Sequence, residues 1–368
     1  GITGCSIARE LSRYDLKVTL VEKEDDLACG TSKANSAVVH AGFDATPGTW
    51  KAKLNVAGNK LYPKMCEELD VPYKMNGSLV VATSEDEMET VKELFERGKQ
   101  NGVEPLKIIG REELLTMEPN LAKDSVGALY APNAGIVCPY ELTVALAENA
   151  NINGVNFILN APVTNIQTQA DGTKIVTTPK GNIKAKFIIN AAGLYADEIS
   201  QMAKAEEYTI TPRKGEYIIF DKQYGSLVSN TIFPTPSKIS KGILVCPTVD
   251  GNIFIGPNSN NIDDKSDISV KAEGIDEIIS GGEKLLPNLP LKNIITSFAG
   301  LRAVSNTNDF IIEASKKVKG FIQVGGIQSP GLTSAPAIAL MIKDILKEEG
   351  LVLKEKPNYT PGRPKKVR

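Results

Sequence analysis

An α/β fold, α+β overall, is predicted for this chain: a discontinuous, Rossmann-like domain carrying an inserted, mostly antiparallel β-sheet. Three observations predict it. A glycine turn, a helical pattern and a short apolar run ending in an acidic residue open the sequence. Two more short apolar runs, one in mid-chain and one near the C-terminal end, suit buried parallel strands. Between them lie strand-like segments separated by turn residues, the pattern of an antiparallel sheet.

The opening segment is the most specific. Gly1 and Gly4 precede CSIARELSRY, in which Ile7, Ala8 and Leu11 share one helical face. Residues 16–21 (LKVTLV) form the strand pattern, and Glu22 follows Gly4 by 18 residues. This is the latter part of a dinucleotide-binding βαβ unit, with Gly1 and Gly4 as the second and third glycines of GxGxxG. Such glycines let a pyrophosphate approach a helix N-terminus, and the acid accepts hydrogen bonds from a ribose. The preceding strand and the first glycine are expected to lie outside this sequence, so a longer natural protein is expected.

Further along, residues 157–166 hold two apolar segments around Ala161-Pro162, and 186–192 (KFIINAA) form a strand ending at Gly193. Residues 320–326 (GFIQVGG) form another strand. The helix after it has Ile338, Met341, Ile342 and Ile345 at helical spacing, with Thr333 and Ser334 as expected caps. The expected division is a cofactor domain from 1–73, 145–205 and 297–355, and a substrate domain from 74–144 and 206–296. Residues 356–368, basic and proline-containing, read as a linker or tail outside any core. Residues 85–101 read as a charged amphipathic surface helix.

Composition excludes several functions. Of 368 residues, 42% are apolar and 23% charged, ordinary for a globular chain. No apolar run approaches the roughly 18 residues of a membrane span, so no integral membrane segment is expected. A formal charge of −2 argues against nucleic acid as a partner. Five cysteines without a CxxC pair and a single histidine leave no zinc or iron site, and they fit a reducing cytoplasm, with a peripheral membrane position left open. Difficult chemistry would then need a borrowed organic cofactor.

The segments GITGCSIAREL, VEKEDDLACGTSKANSAVVHAG, FIINAAGLYAD, FAGLRAVSNTNDFII and GGIQSPGLTSAPAIA, in this order, carry a resemblance. The chain resembles FAD-dependent oxidoreductases of the D-amino-acid oxidase and glycerol-3-phosphate dehydrogenase superfamily. It is most similar to the branch of L-2-hydroxyglutarate and anaerobic-type glycerol-3-phosphate dehydrogenases. The resemblance implies that FAD is the cofactor. Gly1 and Gly4 would cradle its pyrophosphate and Glu22 its ribose. Thr31 and Ser32 would contact phosphate and approach the flavin, Val163 would pair with adenine, and Ala192 and Gly193 would line the adenine side. Gly300 and Arg302 would stand near flavin and substrate. Gly331, Leu332 and Thr333 would offer amides to the pyrimidine edge, where hydride arrival places negative charge.

The implied activity is hydride removal from a secondary alcohol of a small anionic metabolite, with glycerol 3-phosphate or L-2-hydroxyglutarate as substrate. An amine or amino-acid oxidase, or a flavoprotein subunit without turnover, are the alternatives. Relatives suggest an iron–sulfur segment or a quinone-linked protein as electron acceptor, and the sequence does not choose. His40, in AVVHAGFD, is either a loop-holding histidine, a proton acceptor for the substrate hydroxyl, a polar group beside the isoalloxazine, or a site of covalent flavin linkage. Arg302 is either a structural ion pair or an anion clamp, to which its fork is suited. Arg213 and Lys214 add positive charge, with Lys214 reading as a solvated strand edge. Tyr195 and Tyr217 are hydroxyl donors or packing residues, the latter being the usual role of a tyrosine beside a strand. Cys29 reads as a small buried filler, and Trp50 as an anchor for the helix that follows it. Phe43 and Asp44 occupy positions where many glycerol-3-phosphate dehydrogenases carry a basic residue, which weighs toward a 2-hydroxy acid.

Overall fold

The computed structural model describes residues 1–236 and 242–364. In chain order the first half contains α1 (Ile2–Leu11), β1 (Thr19–Val21), β2 (Val38–Val39), α2 (Trp50–Glu68), β3 (Tyr73–Lys74), β4 (Ser78–Ala82), α3 (Glu85–Gln100), β5 (Lys107–Gly110), α4 (Arg111–Met117), β6 (Gly127–Ala131), β7 (Gly135–Val137) and α5 (Pro139–Ile152). There follow β8 (Asn156–Ile158), β9 (Asn165–Thr168), β10 (Lys174–Thr178), β11 (Gly181–Ala185), β12 (Ile188–Asn190), α6 (Ala196–Met202), β13 (Ile210–Phe220), β14 (Thr231–Pro234), β15 (Leu244–Pro247), β16 (Ile253–Gly256), β17 (Asn260–Asn261), α7 (Ala272–Leu285), β18 (Ile294–Ser305), β19 (Ile311–Ala314), β20 (Phe321–Gly325) and α8 (Gly331–Glu348).

The α/β portion rests on α1. Its Ile7 and Leu11 pack with Ile338, Ile342 and Leu346 of α8, while Ala8 meets Ala150 of α5. β1 pairs in parallel with β8, and β12 with β20, the strand relations expected of a βαβ framework. The strands are shorter than their apolar runs: of residues 16–21 only 19–21 pair, and of 186–192 only 188–190. The flanking apolar side chains (Leu16, Val18, Phe187, Ala191) still pack into the core.

The large sheet has the order β17-β13-β16-β15-β14-β4-β6-β5, with β18 on the free side of β13. Every pairing in it is antiparallel except β14 with β4. Alternation buries both faces. Leu79, Val81, Ile218, Phe220 and Val245 face Ile278 and Leu285 of α7, whereas Val80, Tyr217, Phe233 and Phe254 lie on the side of Val91 and Leu94 of α3. Each such aliphatic or aromatic side chain contributes roughly 1.5–3 kcal/mol by leaving water. α3 begins as its sequence suggests: Ser84 accepts from the Glu87 amide, and Glu85, Asp86 and Glu87 fill the first turn.

Four expectations need correction. β18 runs unbroken across the boundary expected at 297 and pairs with β13 through Ser305, so Gly300 and Arg302 are delivered by the large sheet. α8 starts earlier than expected: Pro330 is its N-cap, without a side-chain cap, and Thr333 and Ser334 sit inside the first turn. Lys214 is no solvated edge; it is 4% exposed and its Nζ lies 2.7 Å from Asp267 Oδ2. The tail is docked through Pro364: Arg363 is 8% exposed, pairs with Glu148, and donates to the Leu69 carbonyl. A basic, proline-rich segment lacks an apolar face, yet here it is held by hydrogen bonds and ion pairs.

Candidate active site

The segment from Thr31 to His40 organises the site, because it meets α1, β13, β18 and α8. At its start, Ser32 Oγ accepts from the Ile2 amide at 2.8 Å, at the N-terminus of α1. Thr31 Oγ1 donates to the Leu301 carbonyl at 2.7 Å, next to Arg302. A Cβ on Gly300 would fall 1.9 Å from the Ala34 carbonyl oxygen, so only glycine lets β18 approach this segment. Ser36 Oγ lies 3.2 Å from the Tyr217 hydroxyl on β13. At its end, the His40 amide donates to Thr333 Oγ1 at 2.9 Å, in the first turn of α8.

Two helix N-termini without side-chain caps, those of α1 and α8, are thus joined by one segment. Each presents unpaired amides and a partial positive charge. Around the first, Glu22 Oε2 is 3.7 Å from the Gly1 nitrogen. Gly4 faces Ala191 with 3.8 Å between its would-be Cβ and the alanine methyl, which brings Ala192 and Gly193 alongside. Gly193, at φ +58°, has no atom within 4 Å on its open side. The Ala161 amide donates to the Glu22 carbonyl at 2.9 Å, which draws the loop containing Val163 to the same end. At the second N-terminus, the Gly331 amide is turned into the preceding loop, donating to the Gln328 carbonyl at 2.6 Å. Leu332 and Thr333 remain the first-turn amides on offer; Leu332 is fixed by Tyr62, whose hydroxyl donates to its carbonyl at 2.6 Å.

These residues fit FAD. An elongated nucleotide matches two uncapped N-termini, an acid at the ribose end and a glycine lining with open space. The hydroxyls of Ser6 in α1 and Ser334 in α8 are buried without a hydrogen-bond partner, one on each helix.

His40 and Arg302 enter from different elements. His40 is half-buried, and its ring centroid is 5.9 Å from that of Phe233. Its carbonyl accepts from Asn55 Nδ2 at 2.9 Å and Asn59 Nδ2 at 3.2 Å, both from the buried face of α2. A small cavity of about 30 Å³ beside it is lined mostly by apolar side chains, among them Phe43, Leu94 and Phe233. Arg302 is also half-buried, and its Nη atoms donate to the carbonyls of Lys214 (3.4 Å) and Asn258 (3.3 Å). Among the described residues no carboxylate lies within ion-pair distance of it. Tyr217, stacked on Phe298 at 4.6 Å, has its phenol pushed up by burial and partly drawn back by Arg302 and Ser36.

Other expectations sort out readily. Arg213 is engaged by Asn261 Oδ1 at 2.8 Å. Tyr195 lies beneath the ammonium groups of Lys23 and Lys265, at 4.2 and 5.5 Å. Cys29 is half-buried with its thiol pushed up mainly by desolvation, and Trp50, at 38% exposure, merely opens α2. The sequence reading passed over Ser36, Asn55, Asn59, Gly215 and Asn258. Only the asparagines of α2 left a signal, as polar residues four apart on an otherwise buried face. A groove of about 790 Å³ between 119–124 and 283–288 includes none of the site residues. Among the described residues no acidic, cysteine or histidine cluster could hold a metal, and no helix is long and apolar enough to cross a membrane.

Comparison with known proteins shows the family. The family described as FAD dependent oxidoreductase (DAO) matches residues 1–345. A glycerol 3-phosphate dehydrogenase of Caloramator mitchellensis is 49% identical over 363 residues, covering 99% of this chain and 75% of that protein. An L-2-hydroxyglutarate dehydrogenase of Escherichia coli K12 is 33% identical over 264 residues, covering 70% of this chain and 62% of that protein. The solved L-alpha-glycerophosphate oxidase of Mycoplasma pneumoniae, with FAD bound, superposes with a TM-score of 0.94 at 36% identity, covering 99% and 96% of the two chains. With this match along nearly its whole length, the chain belongs to the DAO family of FAD-dependent oxidoreductases.

Proposed function

We propose that this FAD-dependent enzyme oxidises the secondary alcohol of glycerol 3-phosphate to the ketone. The observation that carries the reading is Arg302: a half-buried guanidinium, anchored on two neutral carbonyls, beside the segment that joins both helix N-termini. Its remaining donors suit a phosphate, bound as a fork on an oxyanion. The glycerol 3-phosphate relative is 49% identical and the 2-hydroxyglutarate relative 33%, which favours the phosphate ester. The phosphate belongs at Arg302 and away from Phe43 and Asp44, where a carboxylate would repel it.

In the proposed reaction the substrate C–H bond breaks with its electron pair, and the O–H proton passes to the His40 imidazole. Bound FAD supplies the acceptor for the hydride. Gly1, Gly4, Glu22, Thr31, Ser32, Val163, Ala192 and Gly193 hold the nucleotide portion. Gly300, Leu332 and Thr333 would hold the flavin portion, where positive potential from α8 would favour the reduced, negatively charged form. We further propose two units, a cofactor domain built on α1, α5 and α8 and a substrate domain built on the large sheet, with β18 shared between them.

The test is anaerobic bleaching of the flavin by glycerol 3-phosphate, L-2-hydroxyglutarate, glycine and D-alanine in parallel. Fast bleaching by glycerol 3-phosphate is expected. Bleaching by an amino acid alone would overturn the reading. Admitting air afterwards identifies the acceptor: immediate return of colour indicates an oxidase, slow return a dehydrogenase that hands electrons to another carrier.

A further inference from the structure

Arg302 is held in an unusual way for a half-buried cation. Guanidinium groups withdrawn from water are commonly paired with carboxylates. Here the two acceptors are main-chain carbonyls at 3.3 and 3.4 Å. Such bonds set a direction and leave the positive charge intact.

The seat is made by two residues. On β13, Arg213 is the register partner of Arg302, and Gly215 lies one step further along the same face. A Cβ at Gly215 would fall 2.7 Å from Arg302 Nη2 and 2.7 Å from Pro257 Cβ. The guanidinium therefore rests on the backbone of β13, in space that any side chain would occupy. The second residue is Asn258, 1% exposed, whose carbonyl is one of the two acceptors. Its side chain is fixed on both sides: Oδ1 accepts from the Glu216 amide at 2.8 Å, and Nδ2 donates to Glu216 Oε2 at 2.6 Å and Glu277 Oε2 at 3.1 Å. Glu216, itself 4% exposed, uses its other oxygen to accept from the Lys271 amide at 2.8 Å. The carboxylates thus act one residue away from the cation. They stiffen its seat without cancelling its charge.

We propose that Gly215 and Asn258 are positioning residues that aim the Arg302 guanidinium, and that they set how tightly the anionic group of the substrate is held. The inference rests on the reading of Arg302 as an anion clamp. It adds that the strength of the clamp is fixed by a backbone seat and an Asn–Glu pair behind it.

The experiment uses the FAD-loaded full chain with Gly215→Ala, Asn258→Ala and Arg302→Ala, singly and with each of the first two combined with the third. Flavin content, kcat and KM for glycerol 3-phosphate are measured, together with the Kd of the ketone product, dihydroxyacetone phosphate, by titration of the flavin spectrum. Gly215→Ala is expected to raise KM and the product Kd by about 10-fold or more, with kcat within about threefold, since a misdirected binding group costs mainly affinity. Asn258→Ala should do the same in smaller measure, and it inserts no new atoms at the seat. In the Arg302→Ala background neither change should shift the product Kd by more than about twofold, because residues acting through one partner are non-additive. Unchanged KM and Kd in both single variants, or full additivity on Arg302→Ala, would overturn the inference. A single Arg302→Ala variant with undiminished kcat/KM would instead overturn the reading beneath it.

Discussion

His40 shows how the fold aims a residue through its backbone. Its amide is bound to Thr333 and its carbonyl to Asn55 and Asn59, so the loop backbone is clamped through main-chain groups. Those backbone bonds persist when the side chain is replaced. His40→Asn is expected to lower kcat by about 10²–10⁴-fold and to abolish the limb of the pH–rate profile due to an imidazole, with flavin content intact. Steady-state rates across the pH range check this, and an unaltered profile would remove His40 from proton transfer. His40 and Arg302 stood out in the sequence because each is a reactive type beside glycine in a recognisable segment. Asn55, Asn59 and Asn258 did not, because an asparagine bound to a backbone group looks in sequence like any other polar residue.

Between elements, close approach governs the site. α2 and α8 cross at Gly58, where a Cβ would fall 2.0 Å from the Thr333 carbonyl oxygen. Gly58→Ala should destabilise the protein by about 1–3 kcal/mol through overpacking. Because Thr333 also anchors the His40 amide, kcat should fall with it; denaturant midpoints and kinetics on the same samples check both. A second element-level contact joins the loop after β17 to the sheet. The hydrogen bond from Lys214, with further bonds from Ser269, holds the Asp267 carboxyl well below the usual carboxylate range. A carboxylate stabilised in the folded state adds stability above its ordinary pKa, about 3.9, and loses it as pH falls through the lower folded value. Asp267→Asn should accordingly be less stable than the native chain at neutral pH, since buried Lys214 loses its counter-ion. The gap should narrow as acid is added, which melting curves between about pH 6 and 2 would register. Helix and strand identities in these elements were largely legible from periodicity. Their ends were not, since pairing and not hydropathy decides where a strand stops.

At the scale of the whole molecule, the C-terminal segment closes the cofactor-side helices together. Arg9 of α1 reaches Glu68 Oε2 at 2.7 Å and the Pro361 carbonyl at 2.8 Å, Asn149 of α5 donates to the carbonyls of Thr360 and Gly362, and Arg363 pairs with Glu148. Three helices that flank the proposed nucleotide groove are laced by one strap. Arg363→Ala leaves the buried Leu69 carbonyl without its donor and should cost about 1–3 kcal/mol. A lowered Tm with unchanged KM would confirm a structural strap; an unchanged Tm would show that the segment contributes nothing to stability.

By itself the sequence determined the family, the two kinds of sheet, the cofactor and the residues whose chemical type is distinctive, because glycine spacing, apolar periodicity and ordered motifs are local properties of a chain. Only the tertiary structure decided that β18 belongs to the large sheet while lying against the segment from Thr31 to Ala34, that Lys214 and Arg363 are buried, and that Arg302 rests on a seat of carbonyls. Those facts depend on which distant backbone happens to lie beside each side chain. A cation that is solvated, paired or poised for an anion carries the same letter in all three cases.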